Sequence, residues 1–452
     1  MGNEFPGAVG EFPNAGAGFP RASRMMRHVE ALATRFPHRH AGDPEEALAA
    51  QYIASEMKAL GLRVRVLPVP VMGWEVEAWP RLEVRPVRAG DRGAASRPPQ
   101  GGDTLNALDA WQAWEAVPFI FSGSTPAEGL EGRLIPVGIT KAGGFLPWSK
   151  FALVDGDGTW RAVVAARPDG PAIAQSGPPE GVGSTANGPH YTWPAVVIGQ
   201  SDLGTLQDWL GRGEVEARLH LRTHYRPDAV SNVVEGELTG RELPEEVLVA
   251  GAHHDCQGAI GFRPEADSPG AADNASGVAA VLEMARLLAR RGTRRTLRFC
   301  TWGGEERNFI GSRAYVRRLS ETGELERVRA YLNLDQSANG INLSLRCSTL
   351  ACSVHHPLDM EGLARHIVKE QGLDQRYPVL VRTPPQPTSD HAAFYEAGVP
   401  VLHCSWSPMH PQAYHRQGDT PAYCDRDDKY EASTGLVFQA LLRLDDLPRK
   451  ES

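Results

Sequence analysis

From residue 230 onward, short apolar runs alternate with longer stretches of helical spacing, and this alternation limits the fold more than any other feature of the chain. The run "EVLVAGAHHD" is followed by helical spacing over 276–291, a strand pattern over 296–302, a helix over 309–319, a strand over 329–335, a helix over 359–371, a strand over 400–405 and a last helix over 430–443. In "RTLRFCTW", Leu297, Phe299 and Thr301 sit two apart, the period at which side chains share one face of a strand. Strands that alternate with helices form a sheet whose faces the helices cover. The expected fold class is α/β, with a mostly parallel central sheet flanked by helices. In such sheets, function concentrates at the carboxyl ends of the strands.

The segments just beyond these strands are unusually polar. His253 and Asp255 come after the first, Asp273 lies in "PGAADNASG" ahead of the next helix, Glu305 and Glu306 come after the second strand, and Asp335 ends the third. The C-terminal part adds Asp390 and His391 in "SDH" and His415 in "YHRQGDT". Singly, each has an ordinary explanation: Asp273 as a residue at a helix start, the two glutamates as solvated loop charges, His415 as a surface histidine. Together they put carboxylates and histidines at one sheet edge, with no lysine in any of these loops. Gathered carboxylates repel and desolvate badly, so they need a cation. Mixed His and carboxylate donors suit zinc, and a pair of metals shares a bridging carboxylate and leaves a separate base to handle water. Adjacent side chains leave the backbone in different directions, so Glu305 and Glu306 are expected to have different tasks.

The ordered set "AHHDC", "PGAADNASG", "GGEE", "LNLD" and "YHRQGDT" resembles the M28 family of co-catalytic zinc aminopeptidases over essentially all of residues 230–445. The resemblance implies a zinc-exopeptidase-like fold and two Zn2+ per chain. It implies His253 and Asp335 on one metal, Glu306 and His415 on the other, and Asp273 bridging both. It further implies Glu305 as general base, Asp255 as the carboxylate that orients the His253 imidazole, and a cis peptide after Asp273. The implied reaction is removal of N-terminal residues from peptide substrates with a free N-terminus. Ala272 stands where the family often has an acid, and Arg416 lies beside His415 where its pattern differs. Phe394, Tyr395 and Trp406 are candidates for an apolar substrate pocket, with core packing as the ordinary reading. Three alternatives stay open: a single-zinc glutaminyl cyclase-like relative, a carboxypeptidase-like relative using Arg382 or Arg416 to grip a carboxylate, and a non-catalytic receptor-like protein.

The 452 residues allow more than one core, because single cores stop growing at roughly 250–300 residues. Residues 1–23 read as a flexible leader, 24–72 as an N-terminal helical part of the peptidase domain, 73–225 as a β-rich insert, and 226–446 as the metallopeptidase catalytic domain. The insert is rich in Gly, Pro and Trp and resembles the protease-associated domain; Trp74, Trp79, Trp111, Trp114, Trp148 and Trp160 are its expected core. A formal charge of −8 argues against nucleic-acid binding through phosphates, and no apolar run approaches the ~20 residues that span a bilayer. The N-terminal stretch lacks the cationic start and apolar segment of a secretory signal, and the six scattered cysteines read as reduced thiols, so a cytoplasmic location is expected. Cys347 and Cys352 are close enough in sequence to bridge if the chain were exported.

Overall fold

The computed structural model describes residues 18–449 apart from 88–109, 119–121, 141–147, 167–181, 186–187, 192, 258–267, 351–357, 411–412 and 426–427. The alternating C-terminal half forms one eight-stranded sheet among the described residues. Its order is Arg63–Pro70, Val230–Leu238, Arg295–Trp302, Leu243–His253, Val328–Leu334, Val401–Ser407, Asn342–Cys347 and Val379–Arg382. The four middle strands, Arg295–Trp302 to Val401–Ser407, run parallel. Arg295–Trp302 and Val328–Leu334 are buried throughout, as strands covered on both faces must be.

Antiparallel pairs enter at the flanks, although Asn342–Cys347 pairs in parallel with Val379–Arg382 at one edge. Val230–Leu238 is antiparallel to Arg295–Trp302, Arg63–Pro70 is antiparallel to Val230–Leu238, and Asn342–Cys347 is antiparallel to Val401–Ser407. Edge strands with one wet side tolerate polar residues, and the burial of Arg63–Pro70 and Val379–Arg382 is correspondingly partial. Val379–Arg382 is only four residues long and Asn342–Cys347 intersperses Asn, Ser and Arg among its apolar residues, so neither stands out as a strand in the chain.

Helices Ala22–Arg35 and Ser276–Arg291 pack together on one face. Met25, Val29, Leu32 and Ala33 form the buried stripe of the first, at the spacing of one helical face. The second is buried almost all round and ends where Gly292 adopts φ +76, a conformation costly for other residues. The chain is docked earlier than the expected leader boundary. A Cβ on Gly435 would collide with the Phe19 ring, and the Ala22 N–H donates to Glu431 at 2.9 Å. Residues 1–17 lie outside the described residues.

Between Gly73 and Arg226 a second eight-stranded sheet is built around the long pair Gly73–Val87 and Glu214–Arg226, with helix Gln200–Arg212 against it. Leu82, Val84, Phe151, Leu153, Val196, Ile198, Leu206 and Leu219 make its core. Trp74 is buried and donates to the Ser122 carbonyl, and Trp114 packs on Trp209 with ring centres 5.5 Å apart. Trp111 instead lies between the Arg85 and Arg218 guanidinium groups. The side chain of Trp148 lies outside the described residues, as does Cys352. No described helix is long and apolar enough to cross a membrane.

Candidate metal centre

Five segments meet at the carboxyl ends of the parallel strands. His253 ends its strand, fully buried, and its Nδ1 lies 3.0 Å from the Asp255 carbonyl oxygen, which leaves Nε2 pointing at the acids. That Nε2 is 3.2 Å from Asp273 Oδ1, 3.4 Å from Asp335 Oδ1 and 4.0 Å from Glu305 Oε2. On the other side of Asp273, Oδ2 is 3.2 Å from His415 Nε2, which is also 3.4 Å from Glu306 Oε1. One carboxylate therefore faces two imidazoles, each with a further acid of its own. Two sets of donor atoms, from His253, Asp273 and Glu306 and from His253, Glu305 and Asp335, each lie within 4.8 Å of one another. By distance, Glu305 is the outermost of the acids around His253.

The loop "GGEER" positions the two glutamates. Gly304 takes φ +80, where a Cβ would be strained, and Gly303 packs so closely that a Cβ would lie 2.2 Å from Ser231 Oγ. Asp255 fixes the backbone just beyond these glycines: its Oδ1 accepts the Glu305 N–H at 3.1 Å and its Oδ2 accepts the Glu306 N–H at 3.2 Å. Its carboxylate is 3.6 Å from His253 Nδ1, a longer contact than the two backbone bonds. One buried carboxylate thus sets both glutamates and stands beside the imidazole.

Asp273 is held in the same manner. Asp419 Oδ1 accepts the Ala272 N–H at 2.6 Å and Oδ2 accepts the Asp273 N–H at 3.0 Å, while its carbonyl accepts the Ala271 N–H. The Asp273–Asn274 peptide is cis. Asn274 spans to the next strand, donating to the Leu334 carbonyl and accepting the Gly277 N–H. Gln336 donates to Asp273 Oδ2 at 3.1 Å. The Tyr414 ring stacks on His415 at 3.8 Å.

The electrostatics are those of a site built for positive charge. Burial disfavours a charged imidazole, yet the fields of Glu305 and Asp335 outweigh it and hold His253 well above its ordinary range. For His415, burial is likewise overcome by Glu306 and Asp273, raising it to about 10. Burial and the neighbouring acids Glu306, Asp335 and Asp390 push Glu305 well above the usual carboxylate range. Burial raises Asp390 to about 8 although Ser312 donates to it at 2.5 Å. Imidazole nitrogens aimed at clustered carboxylate oxygens are the donor set a divalent cation satisfies.

Two arginines belong to this architecture and were not singled out by sequence. Arg39 is fully buried and donates to five backbone carbonyls: Leu32 and Phe36 near the end of the first helix, His254 beside His253, and Pro269 and Gly270 ahead of Asp273. It ties three chain segments to one point. Arg307 directly follows Glu306 and is buried in the fields of Asp255, Asp43 and Glu306. The loops thus lack lysine but not cationic charge. Only the position of Arg307 beside the glutamates carried any signal; the acceptors of Arg39 come from segments far apart in sequence. Of the aromatic pocket candidates, Phe394 stacks on Tyr331 and Trp406 donates to the Lys429 carbonyl, both fully buried, and the half-buried Tyr395 packs against the same core. They are core residues.

Residues 232–437 match the profile of peptidase family M28. An aminopeptidase of Pseudomonas aeruginosa is 41% identical over 97 residues, covering 22% of this chain and 16% of that protein. Aminopeptidase YwaD of Bacillus subtilis is 27% identical over 227 residues, 47% of this chain and 46% of that protein. The chain spans less than half the length of these curated relatives. Among solved structures, an aminopeptidase from an Aneurinibacillus species superposes with a TM-score of 0.65 at 22% identity, covering 93% of each chain. A zinc aminopeptidase from Bacillus subtilis gives 0.65 at 21% identity, covering 94% of this chain and 96% of the other. These structural likenesses concern the fold.

Proposed function

We propose, on the match of residues 232–437 to peptidase family M28, that the chain is a zinc-dependent aminopeptidase working with two metal ions. The observation that carries the reading is Asp273, whose two oxygens each lie 3.2 Å from a different imidazole. Asp335 accompanies His253 and Glu306 accompanies His415 at 3.4 Å each. In this reading His253 and Asp335 would hold one zinc and Glu306 and His415 the other, with Asp273 placed to serve both.

Bound there, such a metal pair supplies a water of lowered pKa, near ~7, and polarises the scissile carbonyl. Glu305, farther from His253 Nε2 than the other two acids at 4.0 Å, takes the proton of the attacking water. It then passes that proton on to the leaving amine. Asp255 contributes by position, holding the backbone of Glu305 and Glu306 so that one carboxylate meets the water while the other stays with His415. In this reading the acidic surroundings formed by Asp273, Glu306 and Asp335 favour a substrate's ammonium group, so the free N-terminus is the recognised end.

The test is metal analysis combined with turnover. About two zinc ions per chain and chelator-sensitive cleavage of an aminoacyl anilide are expected, with N-acetylated peptides left intact. A protein that stays metal-free and inactive after zinc addition, or that cleaves acetylated and free peptides equally, would overturn the proposal.

A further inference from the structure

The strand face that carries Asn333, two residues before Asp335, continues sideways as a polar row. In register, Asn333 pairs with His403, His403 with Arg346, and Arg346 with Arg382. Cross-strand partners share a face, so the row runs from the metal centre toward the sheet edge. Asn333 and His403 touch at 2.9 Å, and the His403 ring lies 4.5 Å from that of His391. Burial holds both imidazoles neutral, lowering His391 to about 3 and His403 well below its ordinary range. The positive charge of the row rests on the two arginines.

Arg346 is 8% exposed, and its Nε has no hydrogen-bond partner. Among the described residues no carboxylate pairs with Arg346 or with the exposed Arg382 beside it. Three of the other buried arginines are fully engaged: Arg39 by five carbonyls, Arg295 by Glu246 and four carbonyls, Arg298 by Glu237 and Glu324. Further polar atoms near Arg346 also lack partners, namely His391 Nδ1 and Ser405 Oγ. Ser405 lies two residues after His403 on the same face. The field of Asp335 reaches Arg346 without offsetting its burial beside Arg382, and neighbouring guanidinium groups with no direct anion partner are costly for the same reason as clustered carboxylates without a cation.

We propose that Arg346 and Arg382 form a subsite for a carboxylate of the substrate; this rests on the peptidase reading above. A guanidinium fork matches a carboxylate with two parallel hydrogen bonds. Arg346 stands two strands from Asn333, about 10 Å at ~4.8 Å per strand, or roughly three residues of extended peptide. The carboxylate therefore belongs to an acidic side chain near the cleaved bond or to the C-terminus of a short peptide.

The experiment compares the zinc-loaded protein on three substrates: Leu-Ala-Ala amide without a carboxylate, Leu-Ala-Ala with a free C-terminus, and Leu-Glu-Ala amide. The wild type should favour at least one carboxylate-bearing peptide over the neutral amide, and which one identifies the source of the carboxylate. Arg346→Met and Arg382→Met should each reduce that preference about tenfold, mainly through KM, with Arg346→Lys keeping part of it. An unchanged preference in both Met variants, or none in the wild type, overturns the subsite. Exposed Arg382 keeps the test valid if Arg346→Met fails to fold. If no peptide is cleaved, the aminopeptidase reading fails separately, and thermal-shift titration with glutarate still decides: a shift lost in Arg382→Met supports the subsite, and no shift refutes it.

Discussion

Replacing Asp255 tests how the adjacent glutamates are held. The side chain is fully buried, and its two oxygens accept the backbone N–H groups of Glu305 and Glu306 at 3.1 and 3.2 Å. Asp255→Ala leaves both donors without their acceptor, at about 1–3 kcal/mol each, so a loss of roughly 2–6 kcal/mol is expected. Asp255→Asn retains one acceptor oxygen and turns an NH2 toward the other donor, so it should lose about half as much. Urea unfolding of chelator-treated protein isolates this term, because bound metal would otherwise stabilise the folded state. Zinc affinity, measured by competition with a chromophoric chelator, should fall about 10- to 100-fold in either variant through misplacement of Glu306 and loosening of His253. If Asp255→Asn matches the wild type in both stability and zinc affinity, the positioning argument is wrong.

Arg39→Met should weaken zinc binding and lower the unfolding free energy read from urea denaturation by about 3–5 kcal/mol, since five carbonyls lose a buried donor; an unchanged unfolding free energy would show that these contacts are incidental. Gly304→Ala meets no side chain closer than 3.5 Å but must hold φ +80, so it should cost about 1–2 kcal/mol and reduce turnover by displacing Glu305, both read from one preparation. His28 is buried and its imidazole is lowered to about 4, first by burial and then by Arg27. The unfolded chain takes up this proton near pH 6.5 and the folded chain only near 4, so stability is intact above about 6.5 and falls by up to about 3 kcal/mol between those values. His28→Gln should flatten the stability profile across that window; an unchanged slope would assign the acid sensitivity to other groups.

The parallel middle of the sheet was legible because its strands are covered on both faces and so are dominated by apolar residues, as in the run VLVAGA over 247–252. Its flanks were not, because Asn342–Cys347 alternates polar with apolar residues over only six positions and Val379–Arg382 is a four-residue edge strand. The candidate site was legible as a set of residue types after strands, since the topology delivers all strand ends to one edge. His253, Asp273, Glu306, Asp335 and His415 do converge there, as the distances between them record. What sequence does not carry is the support. Asp419 holds Asp273 from nearly 150 residues away, and Arg39 reaches the carbonyl of His254 from the other end of the chain. Such partners are chosen by tertiary proximity, for which spacing along the chain offers no pattern. Phe394 and Trp406 show the converse: near the site in sequence, they serve packing instead.

Two adjacent glutamates doing different work at a two-metal centre should fail in different ways, and the zinc content of Glu305→Gln and Glu306→Gln beside the wild type decides whether they do. About two ions are expected in the wild type, the same number in Glu305→Gln with turnover abolished, and loss of zinc from Glu306→Gln, whose carboxylate lies 3.4 Å from His415. Equal zinc loss in both variants, or full zinc in both, would contradict that division of work.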